Sequence, residues 1–389
     1  MRPFRQFLLK LHSRCNLACD YCYVYRHADQ SWRTRPRVMS EAVISAAARR
    51  IAEHVHAWHL DAVTIVLHGG EPLLAGVGTV RKVTGAVHAA VGPAAKVTFA
   101  IQTNGLLLDE AMLDALLDLD IRVGISLDGG RAEHDRHRNF ASGAGSFDAV
   151  AAALNRLRHD RYRSLYSGLL CTVDVRNDPI DVYESLLAFE PPALDLLLPH
   201  GNWTNPPPRR APGDPGTPYG DWLVTVFDRW YDAPDHRTNI RLFTAIISLL
   251  LNRASGYEAA GLDPVDYITV ETDGSLEQSD VLKTVAEGAA ATGLSVFRNS
   301  FDEALQHPGV QARQQGLAAL SADCRACRIV RVCGGGHYAH RFRAPDDFAN
   351  PTVYCPDQKR LIGHIRERVS ADLRRAAERP PTAPARSPA

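Results

Sequence analysis

Residues 7–25 read FLLKLHSRCNLACDYCYVY, an apolar run over 7–11 that leads directly into a loop carrying Cys15, Cys19 and Cys22. The run has the length and bulk of a buried strand, and the cysteines stand just past its end as C-x3-C-x2-C. Three thiolates can therefore converge on one small volume. Three ligands leave the fourth iron of a cubane open to a chelating ligand, whereas a structural zinc would be closed by a fourth residue, for which His12 or His27 is available. A strand that delivers such a loop from its C-terminal end suits a parallel βα protein, whose sites gather at that edge.

Working outward, the same alternation continues. Residues 62–68, 96–102, 122–127, 167–173 and 193–198 read as further strands, with helical periodicity over 40–57, 78–91, 109–119, 147–158 and 179–189 between them. Ser40 and Asp109 are candidate N-caps. Six strands alternating with helices predict an α/β fold built as an open or partial (β/α)6 TIM-like barrel over residues 1–217. A Pro-, Gly- and Asn-rich stretch at 200–218 ends it. Residues 218–264 form a helical linker region with helices at 219–231 and 241–252. A hairpin follows, with Asp273 and Gly274 turning between 268–272 and 275–278. Residues 265–378 make a second, cysteine-bearing domain closed by a helix over 356–377, and 379–389 reads as a disordered tail.

Lys and Arg number 44 against 44 Asp and Glu, so no global field favours nucleic acid or an anionic membrane surface. No signal peptide and no membrane-spanning run is evident, which predicts a cytoplasmic location and reduced thiols. Of the eight cysteines, Cys171 stands alone on a strand and reads as a core residue. Cys324, Cys327, Cys333 and Cys355 form a second group, C-x2-C-x5-C and a distant fourth, enough to close either a cubane or a zinc site. Gly334, Gly335 and Gly336 after Cys333 would let backbone amides approach cluster sulfurs.

The first cysteine group, with Tyr21 before its third member, resembles the signature of the radical S-adenosylmethionine (SAM) superfamily. His68-Gly69-Gly70-Glu71-Pro72 resembles that family's GGEP motif, and Gln102-Thr103-Asn104-Gly105 and Ile125-Ser126-Leu127-Asp128-Gly129 end strands at the same edge. The resemblance implies a SAM-binding 4Fe-4S cluster on Cys15, Cys19 and Cys22. It also implies SAM contacts at Tyr21, Gly69, Gly70, Glu71, Ser126, Arg138 and Leu198. The stretch His134-Asp135-Arg136-His137 is read as loop rather than metal site. The second cysteine group resembles the C-terminal part of a SPASM domain, which implies an auxiliary 4Fe-4S cluster. The full pattern needs further cysteines, yet Gln278, Ser279 and Asp280 stand where one is expected and His337 replaces another, so one auxiliary cluster is expected.

Over nearly its whole length the sequence is similar to FxsB-type radical SAM/SPASM maturases. Residues 9–17, 22–25 with 27–32, 270–275, 333–338 and 350–355 carry the likeness. It implies a maturase that joins an aromatic side chain to the β-carbon of a nearby residue, a three-residue cyclophane, in a ribosomally made precursor peptide. An external electron donor such as flavodoxin or ferredoxin would serve it. Asp273, Glu271 and Asp280 are candidate bases, and His337 is a proton acceptor or a support for the cluster. Recognition of a leader is expected to use the barrel, the SPASM-like region or a partner, since Cys15 lies so near the start. The rival readings are a formylglycine-forming sulfatase maturase and, from another class, a non-catalytic iron-sulfur electron carrier.

Overall fold

The structure, a computed structural model, describes residues 1–211 and 213–378. Strands β1 (Gln6–His12), β2 (Ala62–Gly69), β3 (Lys96–Thr103), β4 (Ile121–Ser126), β5 (Tyr166–Thr172) and β6 (Ala193–Leu197) pair in parallel, each with the next. Helices α1 (Glu41–Ala57), α2 (Gly76–Val91), α3 (Glu110–Asp118), α4 (Arg131–His134), α5 (Phe147–Arg158) and α6 (Pro179–Leu187) fill the crossovers. The expected caps are present: Ser40 accepts from the Val43 amide and Asp109 from that of Met112.

Burial alternates along the strands with period two. In β2, Val63, Ile65 and Leu67 are fully buried while Thr64, Val66 and His68 are half-buried. One face thus packs on the helices and the other lines an open interior, as period-two side-chain geometry dictates. In β1 the interior positions include Lys10, which is buried to 2% exposure. The parallel sheet and its helical cover make the expected partial barrel.

The sheet does not stop at β6. It has ten strands in the order β10-β9-β8-β1-β2-β3-β4-β5-β6-β7. Beyond α7 (Pro218–Tyr231), the two-residue β7 (Asn239–Ile240) extends β6 and leads into α8 (Arg241–Leu250). The expected hairpin is β8 (Tyr267–Val270) and β9 (Ser275–Glu277), and β8 pairs in parallel with β1, setting Gln6 against Tyr267 and Leu9 against Val270. The hairpin region therefore continues the barrel sheet. β10 (Ala291–Ser295), antiparallel to β9, and β7 were not foreseen, because ATGLS and a two-residue strand carry too little apolar pattern to register.

The remaining helices are short until the last: α9 (Phe301–Leu305), α10 (Pro308–Ala312), α11 (Ala322–Arg325), α12 (Val330–Cys333) and α13 (Cys355–Glu378), which packs along α7. Predicted ends shift by one to two residues elsewhere, as fraying elements do. One expectation is corrected. His134 is not a loop residue: it ends α4 at 0% exposure, with Nε2 2.9 Å from Ser146 Oγ and Nδ1 accepting from the Asp128 amide. Cys171 is core, as expected. The expected tail over 379–389 lies outside the described residues. No helix among the described residues is long and apolar enough to cross a membrane.

Candidate active site

The C-terminal ends of β1 and β2 are bound to one another beyond the sheet. Gly70 N donates to His12 O and Glu71 N to Arg14 O, both at 2.9 Å, so the Gly-Gly-Glu turn lies directly on the start of the cysteine loop. A Cβ at Gly69 would meet the His12 carbonyl, and one at Gly70 the Tyr25 hydroxyl and the Arg14 carbonyl. Glycine is required here by close backbone approach. Glu71 is 1% exposed and accepts from Leu73 N (3.0 Å), Thr103 Oγ1 (2.7 Å) and Asn104 N (2.8 Å). Burial still pushes its carboxyl up to about 7.

Asn104, from the end of β3, turns its amide toward Cys15 Sγ at 3.7 Å, and Leu17 N reaches the same sulfur at 3.4 Å. Burial pushes the Cys15 and Cys19 thiols up to about 12 and about 11, and their neighbouring cysteines add to both shifts. Three soft, half-buried thiols on one loop, with their pKa raised, call for a cationic partner that would hold them as thiolates. No group of three His, Cys, Asp or Glu among the described residues is drawn in around a single ion.

Across the loop, Asp128 accepts from Tyr21 Oη, Arg138 Nε (2.8 Å) and the Thr172 amide (2.9 Å). Despite burial, the Arg138 charge and these donors hold Asp128 below the usual carboxylate range. The guanidinium also lies over the Tyr21 ring at 5.5 Å, so Tyr21 and Arg138 anchor the loop to the ends of β4 and β5. Ser126 is half-buried and accepts from Gln102 Nε2 at 3.1 Å. Leu198 follows β6 and packs on the core.

Asp280 is brought to the mouth of the interior, where all three of its named contacts fall on Oδ2: Lys10 Nζ at 2.5 Å, Tyr23 Oη at 2.9 Å and His68 Nδ1 at 3.9 Å. Despite complete burial, the Lys10 charge holds this carboxyl well below its ordinary range. Burial, with Lys10 adding, pushes His68 down to about 4, so it is a neutral imidazole at pH 7. Of the other carboxylates singled out from sequence, Glu271 shares the Lys10 charge with Asp280 and Asp273 lies apart. Glu271 is locked to Lys283 at 2.5 Å, and Asp273 sits exposed on the hairpin turn, 2.8 Å from Arg35. Arg35 also holds Ser275 and Glu277 and so clamps the hairpin onto the segment after the cysteine loop.

The second cysteine group is assembled from α11, the turn after it, the end of α12 and the first residue of α13. Burial pushes Cys333 up to about 12, with Cys355 and Cys324 adding, and Cys355 is raised by burial with Cys324 and Cys327 adding. These four soft donors suit the same treatment as the first three. Ser279 and His337, which stand in place of cysteines, share a separate network. Tyr267 Oη meets Ser279 Oγ at 2.7 Å and Glu258 Oε2 at 2.8 Å, Arg313 holds Glu258 at 2.7 Å, and His337 lies 3.6 Å from Glu258.

Lys10, Tyr23 and Glu258 carry no role in the sequence reading, and Asn104 and Asp128 stand there only as members of strand-end motifs. Lys10 had a visible signal, a lysine inside an apolar strand. The rest are ordinary polar residues until folding collects them.

Residues 9–179 match the Radical SAM superfamily profile. The chain is 23% identical over 374 residues to the cysteine-type anaerobic sulfatase-maturating enzyme of Clostridium perfringens, covering 93% of this chain and 96% of that protein. It is 23% identical over 388 residues to the serine-type enzyme of Bacteroides thetaiotaomicron, covering 94% and 90%. In fold it resembles native anSMEcpe with bound AdoMet, with a TM-score of 0.80 at 22% identity and coverage of 95% and 99%. It also resembles Streptococcus suis SuiB bound to its precursor peptide SuiA, with a TM-score of 0.57 at 10% identity and coverage of 90% and 76%. The chain carries a radical SAM domain and is an oxidoreductase-type enzyme whose cofactors are S-adenosyl-L-methionine and a 4Fe-4S cluster.

Proposed function

We propose that the chain oxidises a peptide, joining an aromatic side chain to the β-carbon of a nearby residue in a ribosomally made precursor. The observation that carries this reading is Asp280, a buried carboxylate set at the mouth of the interior within one residue's reach of the cysteine loop through Tyr23. Cys15, Cys19 and Cys22 would hold the SAM-binding cluster, with Gly69, Gly70 and Glu71 shaping the turn beside it. Ser126 and Arg138 would hold the ribose or carboxylate of SAM, and Leu198 would touch its adenine. Cys324, Cys327, Cys333 and Cys355 would hold one auxiliary 4Fe-4S cluster. The Ser279, Glu258, Arg313 and His337 network supports the single-cluster reading, since side chains already fill that position.

When bound, the cluster with SAM supplies a carbon radical that removes a hydrogen atom, and the auxiliary cluster supplies an acceptor for the electron left over. The protein's own work is to hold the peptide, exclude water and move one proton. Asp280 is kept ionised by Lys10; a carboxylate held so low is a weak base, suited to a proton as acidic as the one the ring carries after cross-linking, which it would take. The proton it takes leaves the Lys10 ammonium without its counterion, which favours giving that proton up again. The Tyr23 hydroxyl, which donates to Oδ2, fixes the carboxylate's orientation. An external one-electron carrier such as flavodoxin or ferredoxin would supply the reducing electron.

A second reading is favoured by the sulfatase-maturating relatives, which align over nearly the full length: oxidation of one Cys or Ser to formylglycine with the same base. Co-expression of a candidate peptide under low oxygen, with Cys15→Ala as control, separates them by mass spectrometry. Cross-linking removes two hydrogens and protects the bonds between an aromatic residue and its neighbour from fragmentation. Formylglycine maps to a single Cys or Ser and is trapped by a hydrazine. An unmodified peptide, with no modification in either sense, refutes the reading.

A further inference from the structure

The two cysteine groups are linked by a continuous row of rings. Tyr23 follows Cys22, and its ring meets His200 edge-on with centroids 5.3 Å apart. His200 Nδ1 lies 3.2 Å from His340 Nε2, with ring centroids 5.4 Å apart. His340 in turn meets the Tyr354 ring edge-on at 5.2 Å, and Tyr354 is bonded to Cys355. We propose that Tyr23, His200, His340 and Tyr354 form the electron path from the site beside Asp280 to an auxiliary cluster at Cys355. This rests on the proposed reading that the second cysteine group holds such a cluster.

Three features argue that the row is more than packing. Its half nearer Cys355 is tied together: Tyr354 Oη donates to the carbonyl of Pro199, the residue before His200, at 2.6 Å, and Val353 N donates to His340 O at 2.9 Å. It begins where the product is made, since Tyr23 Oη donates to Asp280. It also places two imidazoles together in a nearly dry site, with Tyr354 at 0% and His340 at 5% exposure, where apolar side chains would be cheaper to bury. The polar surroundings belong to the same row: His337 lies 5.6 Å from His200 and 4.9 Å from His340 between ring centroids, and Glu258 faces it.

The electron count closes. Cleaving SAM consumes one electron and the resulting radical takes one hydrogen atom from the peptide. The carbon radical adds to the ring, the ring proton goes to Asp280, and the remaining electron reduces the auxiliary cluster by one unit. One electron enters and one is recovered, so no further oxidant is required.

The test uses the full chain with both clusters reconstituted, SAM and a peptide that the wild type oxidises. His200→Leu and His340→Leu are compared with His200→Phe and His340→Phe, which keep a ring. Iron content, 5′-deoxyadenosine yield and freeze-quenched electron paramagnetic resonance of the auxiliary cluster are read together. The leucine variants should keep their iron and still form 5′-deoxyadenosine, yet lose the reduced auxiliary-cluster signal and the oxidised peptide, and the phenylalanine variants should regain both. Leucine variants that reduce the cluster as the wild type does overturn the path, as do variants that lose iron and SAM cleavage alike. A wild type with about four rather than about eight irons per chain overturns the cluster reading itself, and the path with it.

Discussion

The Lys10 ammonium lies 2.5 Å from Asp280 Oδ2, with side-chain exposures of 3% and 6%, and joins the first strand to the segment after the β8–β9 hairpin. So close a buried pair is stable only as a pair. Removing the cation by Lys10→Met leaves an uncompensated buried carboxylate and should cost about 3–5 kcal/mol of stability. Lys10→Met with Asp280→Asn should cost less than the single Lys10 change, because no charge is then stranded. Denaturant midpoints of the two variants check this; equal losses would mean that the pair is not energetically linked.

Asp280→Asn alone keeps volume and removes the proton acceptor, but it strands the Lys10 ammonium and so also costs stability, and its activity is read on protein whose fold has been verified by circular dichroism. SAM cleavage should survive while oxidised peptide falls by a factor of about 10²–10⁴, the usual worth of a positioned general base. The same readings on Asp273→Asn should stay at wild-type level, because Asp273 is exposed on the turn and committed to Arg35. Quantifying 5′-deoxyadenosine and product in one reaction separates the two carboxylates.

Much of this was legible in sequence, and what escaped did so for physical reasons. The six barrel strands and their helices announce themselves because each is a long apolar pattern with its own period. The first cysteine group and the first three members of the second are local in sequence, so their spacing could be read. Pairing between β8 and β1 is not local, and no pattern in residues 267–270 names residues 6–9 as their partner. Nor could the sequence rank Asp273, Glu271 and Asp280, since their difference lies in which cation folding brings to each: Arg35, Lys283 or Lys10. His200 and His340 are 140 residues apart and meet only through β6 and the segment before Cys355.

Acid should weaken the barrel through His134. Burial, with the Arg138 charge adding, pushes this imidazole from 6.5 down to about 4. Between those values the unfolded chain binds the proton and the folded chain does not. The contribution to stability is therefore whole above pH 6.5 and lost as pH falls toward 4, by about 3 kcal/mol in total. His134→Gln removes the titration, so its stability should be flatter between pH 7 and 5 than the wild type's. Parallel slopes would show that other groups govern acid sensitivity.

Gly70→Ala should cost the first cluster before it costs the fold. The added Cβ would strike the Tyr25 hydroxyl and stand 2.5 Å from the Arg14 carbonyl, and both belong to the cysteine loop. The loop must yield, since β1 and β2 are held by the sheet. Iron content should drop by about one cubane while far-ultraviolet circular dichroism stays unchanged. Full iron occupancy in that variant would mean that the turn tolerates a side chain.

Arg341 offers a measurement on the second cysteine group alone. The residue is 9% exposed, and its guanidinium donates to the carbonyls of Gly334 (2.7 Å), Gly335 (3.1 Å) and Gly336 (2.7 Å). All three glycines have positive φ, at 60°, 80° and 69°, a run that a side chain would strain. With the carbonyls drawn to Arg341, the Gly335 amide is left facing Cys333, where its hydrogen bond favours the thiolate. A buried positive charge and an amide donor both favour the more negative, reduced state of a cluster held there, so each raises its potential. Arg341→Gln removes the charge and loosens the turn, and should lower the auxiliary potential by on the order of tens of millivolts. Arg341→Lys keeps the charge but cannot bridge three carbonyls, so it should fall between the two. Redox titration followed by electron paramagnetic resonance reads the shift without any turnover. A potential unchanged in Arg341→Gln would mean that the glycine turn is set by the chain alone.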